Sequence, residues 1–133
     1  MRQMPPRRFE ELVAELLSGF GFEVELTQQT RDGGRDIIAI RHDVFKTRYL
    51  VGCKRYDEHR AVSVGEVRAL VGVLQDERAS QGIIVTTSRL SPDAVQLVEQ
   101  NAWQLERKEF AELKEWILEY LKRRPERRLG IPR

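Results

Sequence analysis

Residues 31–54 read RDGGRDIIAIRHDVFKTRYLVGCK. The stretch holds two short apolar runs, Ile37-Ile38-Ala39-Ile40 and Tyr49-Leu50-Val51, whose length and composition predict strands. Asp36 stands at the mouth of the first, and Gly52-Cys53-Lys54 closes the second. A buried charge without a partner costs several kcal/mol, so Asp36 and Lys54 either meet each other or serve a site. Side chains alternate along a strand, which puts Gly52 and Lys54 on one face and Cys53 on the other. An acid on one strand and a lysine on the next, with a gap between them, leaves room for a metal ion and a water.

Upstream, after Pro5-Pro6, the residues Phe9, Leu12, Val13, Leu16, Leu17 and Phe20 recur at helical spacing and form one apolar stripe. Gly19 and Gly21 end that helix. Glu11 and Glu15 project away from the stripe, whereas Glu10 borders it, close in angle to Leu17. Glu10 either leans into a cleft beside the core or is a solvated carboxylate that favours the helix dipole. Residues 22–26 alternate as a half-exposed strand, and 27–34 form a polar loop with a turn at Asp32-Gly33-Gly34. Strands at 36–41 and 48–54 are joined around His42-Asp43.

Downstream, residues 55–61 are charged and poorly patterned, and are expected to form a mobile rim. Ser63-Val64-Gly65-Glu66 is a capping box opening a helix with a stripe of Val64, Val67, Val71 and Leu74. Ile83-Ile84-Val85 reads as a buried strand ending at Thr86-Thr87-Ser88. Ser91 caps a third helix with Pro92 at its first position, presenting Ala94, Leu97 and Val98. Trp103-Gln104-Leu105 is a short last strand, and Phe110, Leu113, Trp116, Ile117 and Tyr120 mark a final helix. Both tryptophans are expected in the core. The order of helix, three strands, helix, strand, helix, strand, helix predicts an α/β fold whose mixed sheet is covered on both faces.

At 133 residues the chain is most simply one domain. With 41% hydrophobic and 33% charged residues it has a globular composition rather than a disordered one. A net charge of +2 permits nucleic acid as a partner without demanding it. The distribution says more, because Leu121-Lys122-Arg123-Arg124-Pro125-Glu126-Arg127-Arg128 is strongly basic, either a solvated helix end or a binding arm. The single cysteine excludes an internal disulfide and fits a reducing compartment. No apolar run approaches the ~20 residues that span a bilayer, and the N-terminus lacks a signal-peptide core, so no membrane role and a cytoplasmic location are expected.

Several chemistries are unsupported. There is no Walker loop, dinucleotide fingerprint or Gly-x-Ser-x-Gly elbow. With two histidines, His42 and His59, and one cysteine, a tetrahedral zinc site would need an unusual ligand set. Neither Ser88 nor Ser91 has a histidine at a suggestive position. What remains is two acids and a lysine on adjacent elements. Residues 9–17 (FEELVAELL), 30–36 (TRDGGRD), 53–56 (CKRY) and 85–87 (VTT), in that order, resemble the Mrr-type catalytic domain of the restriction-endonuclease-like PD-(D/E)XK nuclease superfamily. The resemblance runs from about Phe9 to Trp116. It divides the chain into an N-terminal extension (1–8), a nuclease domain (9–121) and a basic C-terminal tail (122–133).

That resemblance implies an αβββαβ core and a Mg²⁺-dependent DNA endonuclease, with Mn²⁺ expected to substitute. Carried over by position, Asp36 is the main metal ligand, and the Cys53 backbone carbonyl is a second. Lys54 orients the attacking water, and Glu10 matches a helix carboxylate that joins the metal shell in related resolvases. Thr30, Gly33, Gly34 and Arg55 are candidate phosphate or DNA contacts. The sequence departs at one place: the family pattern has Glu or Gln where this chain has Gly52. Either Glu10 or Glu66 fills the position from a helix, or the chain is a lapsed nuclease that still binds DNA, or Gly52 is an introduced substitution. The readings are therefore an endonuclease of low specificity, acting as a homodimer or with a separate specificity subunit, and a non-catalytic DNA-binding or scaffold subunit. A small-molecule enzyme on a flavodoxin-like sheet ranks last, for want of a phosphate loop.

Overall fold

The computed structural model describes residues 4–27 and 35–128, with side chains described through residue 123. The first helix, α1 (Pro6–Gly19), starts three residues before Phe9, inside the stretch set apart as an extension. Pro6 occupies the first helical turn, where its missing N–H is no loss, and Phe9 N–H donates to the Pro5 carbonyl at 3.1 Å. Phe9, Val13, Leu16 and Leu17 are buried along one side of the helix.

The strands are β1 (Glu23–Leu26), β2 (Ile37–His42), β3 (Lys46–Lys54), β4 (Gln81–Thr86) and β5 (Leu105–Lys108). The helices α2 (Val64–Asp76), α3 (Pro92–Gln100) and α4 (Phe110–Arg128) follow β3, β4 and β5 in turn. Among the described residues the sheet has the order β1-β2-β3-β4-β5. β1, β2 and β3 form an antiparallel meander, while β3, β4 and β5 run parallel, as connections through α2 and α3 require. The sheet is mixed and covered on both faces. Ile37, Ala39, Val51, Cys53 and Val85 pack under α1 and Leu113 of α4. On the other face Leu50 and Ile84 pack against Val67, Leu70 and Leu74 of α2 and Ala94 and Val98 of α3.

The sequence reading is corrected in four places. β3 begins at Lys46, because Asp43 N–H closes a tight turn on the Phe45 carbonyl at 3.2 Å, leaving Val44 and Phe45 exposed at the tip. The buried stripe of α2 includes Leu70, with Val64 and Val71 only partly covered. The last strand is Leu105–Lys108 instead of 103–105, since the N–H groups of Gln104 and Leu105 both close a turn on the Asn101 carbonyl at 2.8 Å. Trp103 therefore stands 71% exposed on that turn instead of in the core, whereas Trp116 packs edge-on against Phe20. Residues 55–61, expected to be a mobile rim, are tied down. His59 and Arg60 N–H groups donate to Asp57, the Arg89 guanidinium donates to the Glu58 carbonyl, and Val62 bridges to Leu90. The first part of the basic tail continues α4 through Arg128. Among the described residues no helix is long and apolar enough to cross a membrane.

Candidate active site

Asp36 immediately precedes β2. Its backbone is fixed on both sides: N–H donates to the Val51 carbonyl at 2.7 Å, and its carbonyl accepts from Thr27 N–H at 3.0 Å. Carboxylate Oδ2 accepts from Cys53 N–H at 2.7 Å. Arg35 does not pair with it, turning instead to Glu77 at 2.6 Å. Among the described residues neither Asp36 nor Lys54 enters an ion pair, so the strand-end pairing that composition alone permits is not made.

Along β3 the backbone groups of one residue point to the same neighbouring strand. Cys53 N–H reaches Asp36, so the Cys53 carbonyl also points toward the β2 side, beyond the last paired residue of β2. The Lys54 carbonyl points the other way and is held by Thr86 Oγ1 at 2.7 Å and Thr87 N–H at 3.3 Å. Thr87 Oγ1 accepts from Tyr56 N–H at 2.9 Å and donates to the Tyr56 carbonyl at 2.6 Å. Two fully buried threonines at the end of β4 thus clamp the chain on either side of Arg55, which is half-buried.

The sheet separates the candidate residues by face. The Cys53 side chain belongs to the α1 side, where Glu10 is 95% buried and bonded to Arg7 Nη1 at 2.9 Å, so Glu10 is not a solvated carboxylate. Arg7 Nη1 also donates to the Thr27 carbonyl at 2.9 Å, binding α1 to the chain that leads toward Asp36. Burial first, then the negative charges of Asp36 and Glu10, push the Cys53 thiol well above its ordinary value. It stays a neutral thiol. Gly52 and Lys54 lie on the opposite, α2-facing side, which is also where Glu66 sits.

Glu66 does two things at once. Its Oε2 accepts from Ser63 N–H at 2.7 Å, closing the capping box, while Oε1 accepts from the Tyr56 hydroxyl. Burial alone would raise its pKa, but the bonds from Tyr56 and Ser63 and the charge of Lys54 hold it below the ordinary carboxylate value. Tyr56 is pushed up to about 12, by burial first and then by Glu66. Neither Tyr56 nor the two threonines carries a role in the sequence reading. Their contacts join residues about thirty positions apart, so the CKRY and VTT stretches that hold them carry the family resemblance without announcing these contacts. Thr30, Gly33 and Gly34 lie outside the described residues. Two open clefts of about 470 and 510 Å³ lie toward the hairpin end of the sheet, lined by Lys46 and Arg48 and by Arg41 and His42, away from Asp36 and Lys54.

The donor set decides which ions fit. Among the described residues no three His, Cys, Asp or Glu side chains converge closely enough to share a metal. With the thiol protonated, a zinc site of side-chain ligands does not fit. One carboxylate beside one backbone carbonyl does fit a hard cation that keeps most of its own water.

The family model for the Mrr catalytic domain, a restriction endonuclease (Mrr_cat), matches residues 1–117. Over 91 residues the chain is 30% identical to the uncharacterized protein y4cE of Sinorhizobium fredii (strain NBRC 101917 / NGR234), covering 66% of this chain and 23% of that protein. The DNA modification-dependent restriction endonuclease AspBHI has the same fold, with a TM-score of 0.73 at 24% identity over 86% of this chain and 31% of its own. MspJI restriction endonuclease, solved in complex with a 27-mer oligonucleotide, gives 0.60 at 20% identity over 82% of this chain and 27% of its own. The chain spans less than a third of each of these proteins.

Proposed function

The chain belongs to the Mrr catalytic family of restriction endonucleases, and from that premise we propose that it hydrolyses DNA phosphodiester bonds with a divalent cation, Mg²⁺ foremost and Mn²⁺ as a substitute. The observation that carries this reading is the Asp36 carboxylate, held by the Cys53 amide at 2.7 Å beside a Cys53 carbonyl that points the same way. Asp36 Oδ1 and that carbonyl would hold the cation. A cation held there would supply Lewis acidity, making water a better nucleophile and offsetting the charge that develops on the phosphate. Lys54 follows directly on the strand, and its backbone is immobilised by Thr86 and Thr87. Its ammonium orients the attacking water and shields the phosphate oxygens. Glu10 takes the smaller part. It lies on the opposite face from Lys54, where its charge is felt at Cys53, and with Arg7 it braces α1 against the end of the sheet.

Specificity is assigned to regions or subunits beyond this domain, because the similar enzymes are more than three times as long as the part they share with it. AspBHI's dependence on DNA modification belongs to that whole protein. One observation favours a second reading: buried Gly52 gives the Lys54 face no side-chain ligand, and the nearby Glu66 is engaged by Tyr56 and Ser63. On that reading the chain is a non-catalytic DNA-binding or scaffold subunit derived from such a nuclease. Plasmid nicking by the wild type, Asp36→Asn and Lys54→Ala, with and without Mg²⁺, decides. Cation-dependent nicking that falls by about 10²-fold or more in both variants is expected, by analogy with the loss of one transition-state donor. Nicking untouched by Asp36→Asn would end the assignment. DNA binding without cleavage in any divalent cation would establish the second reading.

A further inference from the structure

Tyr56 lies two residues beyond Lys54, and every part of it is fixed. Its backbone N–H and carbonyl are both bonded to the buried Thr87 hydroxyl, at 2.9 and 2.6 Å. Its phenol hydroxyl donates to Glu66, which is itself anchored by Ser63 N–H at 2.7 Å. The face of the ring carries the Arg60 guanidinium, whose central carbon is 3.8 Å from the ring centroid. Arg60 Nη2 is also 3.8 Å from Glu66 Oε1. That separation is too long for a hydrogen bond, so Glu66 steers the guanidinium without occupying its N–H groups.

The consequence is an unusual state for an exposed arginine. Its side chain is 65% exposed, yet its guanidinium is placed over a ring and beside a carboxylate. A guanidinium stacked on a ring uses its face and keeps its N–H donors available at its edge. Among the described residues none of those side-chain N–H groups makes a hydrogen bond. The backbone beneath is held as well, since Arg60 N–H donates to the Asp57 carbonyl at 3.1 Å. A planar fork whose orientation is settled before a ligand arrives suits an oxyanion that can be gripped by two parallel bonds, and a phosphodiester is such a group. Arg60 stands in the segment that follows β3 and Lys54, and through Tyr56 and Glu66 it lies against α2, on the side of Gly52 and Lys54.

We infer that Arg60 is a DNA-binding residue that grips a backbone phosphate beside the scissile one, with its guanidinium oriented by the Tyr56 ring and Glu66. The inference rests on the nuclease reading above. Arg60 fixes the register of the strand relative to Lys54 and reads no base. The order of the chain supports the division of labour: Lys54 serves the bond to be cut, and Arg60, six residues on and folded back over Tyr56, serves a neighbour.

The test is binding of a short DNA duplex to the full chain in chelator, so that nothing is cut, with affinity followed against salt. Each phosphate neutralised on duplex DNA contributes about −0.9 to the log–log slope. Arg60→Ala should make the slope shallower by about that amount and weaken binding several-fold at fixed salt. Arg60→Lys should keep the slope, because the charge remains, and still bind more weakly, because an ammonium has no planar fork. Lys46→Ala, the same charge change at the far end of β3, should leave the slope as it was. A wild type that binds with a steep slope while Arg60→Ala leaves that slope unchanged overturns the inference and leaves the nuclease reading standing. So does an equal loss in Lys46→Ala, which would make the effect one of bulk charge. A wild type that shows no salt-dependent DNA binding overturns the inference, and the nicking assay then decides the nuclease reading separately.

Discussion

Gly52 and Glu66 belong to the same, α2-facing side of the sheet, and their chemistry differs in a way that can be tested singly. A carboxylate at 52 would project beside Lys54, on the strand that also supplies the Cys53 carbonyl. Gly52→Glu should therefore raise Mg²⁺-dependent nicking by about 10²-fold, the size of one well-placed donor, and the gain should vanish when Asp36→Asn is added. No gain from a folded variant would show that the site is complete without a ligand at 52. Glu66 makes a separate prediction about stability. Its folded pKa is lowered, so the unfolded chain takes up its proton first as pH falls, and the contribution of Glu66 is present above the ordinary value of 4.5 and lost below it. Glu66→Gln should accordingly flatten the fall in melting temperature on that acid limb. Tyr56 has the opposite sign: raised from 10.0 to about 12, it contributes stability below 10 that is lost as pH climbs toward 12. Tyrosinate absorbance should show one late step that Tyr56→Phe removes. At this scale the sequence singled out Asp36 and Lys54, because a charge beside an apolar run needs a reason, while Cys53 entered only through the family resemblance, and the structure joins it to Asp36 by its N–H. Glu66 was visible as a helix cap and as a candidate to fill the position of Gly52, but its bond to Tyr56 was not, since that hydroxyl belongs to a residue whose backbone is held by Thr87, far along the chain.

The elements were legible where a period or a cap marks them. The stripe of α1, the capping box of α2 and the Ser91-Pro92 start of α3 all stand where the sequence reading put them, and Ser91 Oγ accepts from Ala94 N–H at 3.2 Å. The last strand was misplaced because Trp103 and Leu105 alternate like strand residues, while Glu106, Arg107 and Lys108 look like loop. A charged edge strand is nevertheless a common way to keep a sheet edge from pairing with another chain. Contacts between elements leave less trace in sequence, and Gly19 is the clearest case. It reads as a helix stop, but the structure gives it a second duty, because a Cβ there would come within 2.5 and 2.6 Å of the Tyr120 ring on α4. Tyr120 is held in a seam with Phe20 and Trp116, so its ring has little room to retreat. Gly19→Ala should thus destabilise the protein by about 1–3 kcal/mol, the usual cost of overpacking. Tyr120→Ala in the same background should remove most of that clash, so the pair of changes should be strongly non-additive in a denaturant titration. Additive losses would mean that α1 and α4 are not in contact at this point.

The whole molecule separates what keeps it folded from what it does. Its apolar residues form two clusters, one on each face of the sheet, and neither depends on Asp36, whose carboxylate sits at the end of β2 where the strands stop pairing. Cys53 belongs to one cluster through its side chain and to the site through its backbone, so the core positions the site without being built around it. A cation bound at Asp36 would then be a ligand of an already folded protein rather than part of its framework. Two results follow together. In chelator the chain should remain folded with a single cooperative transition. Added Mg²⁺ should raise the melting temperature according to occupancy, by an amount equivalent to about 2.7 kcal/mol at a hundredfold excess over Kd. Asp36→Asn should abolish that Mg²⁺-dependent rise while leaving the transition in chelator close to that of the wild type, since the asparagine oxygen can still accept from Cys53 N–H. Calorimetry of both proteins with and without Mg²⁺ measures all of this. A wild type that unfolds in chelator would make the cation structural, and a rise of equal size in Asp36→Asn would place the cation away from Asp36.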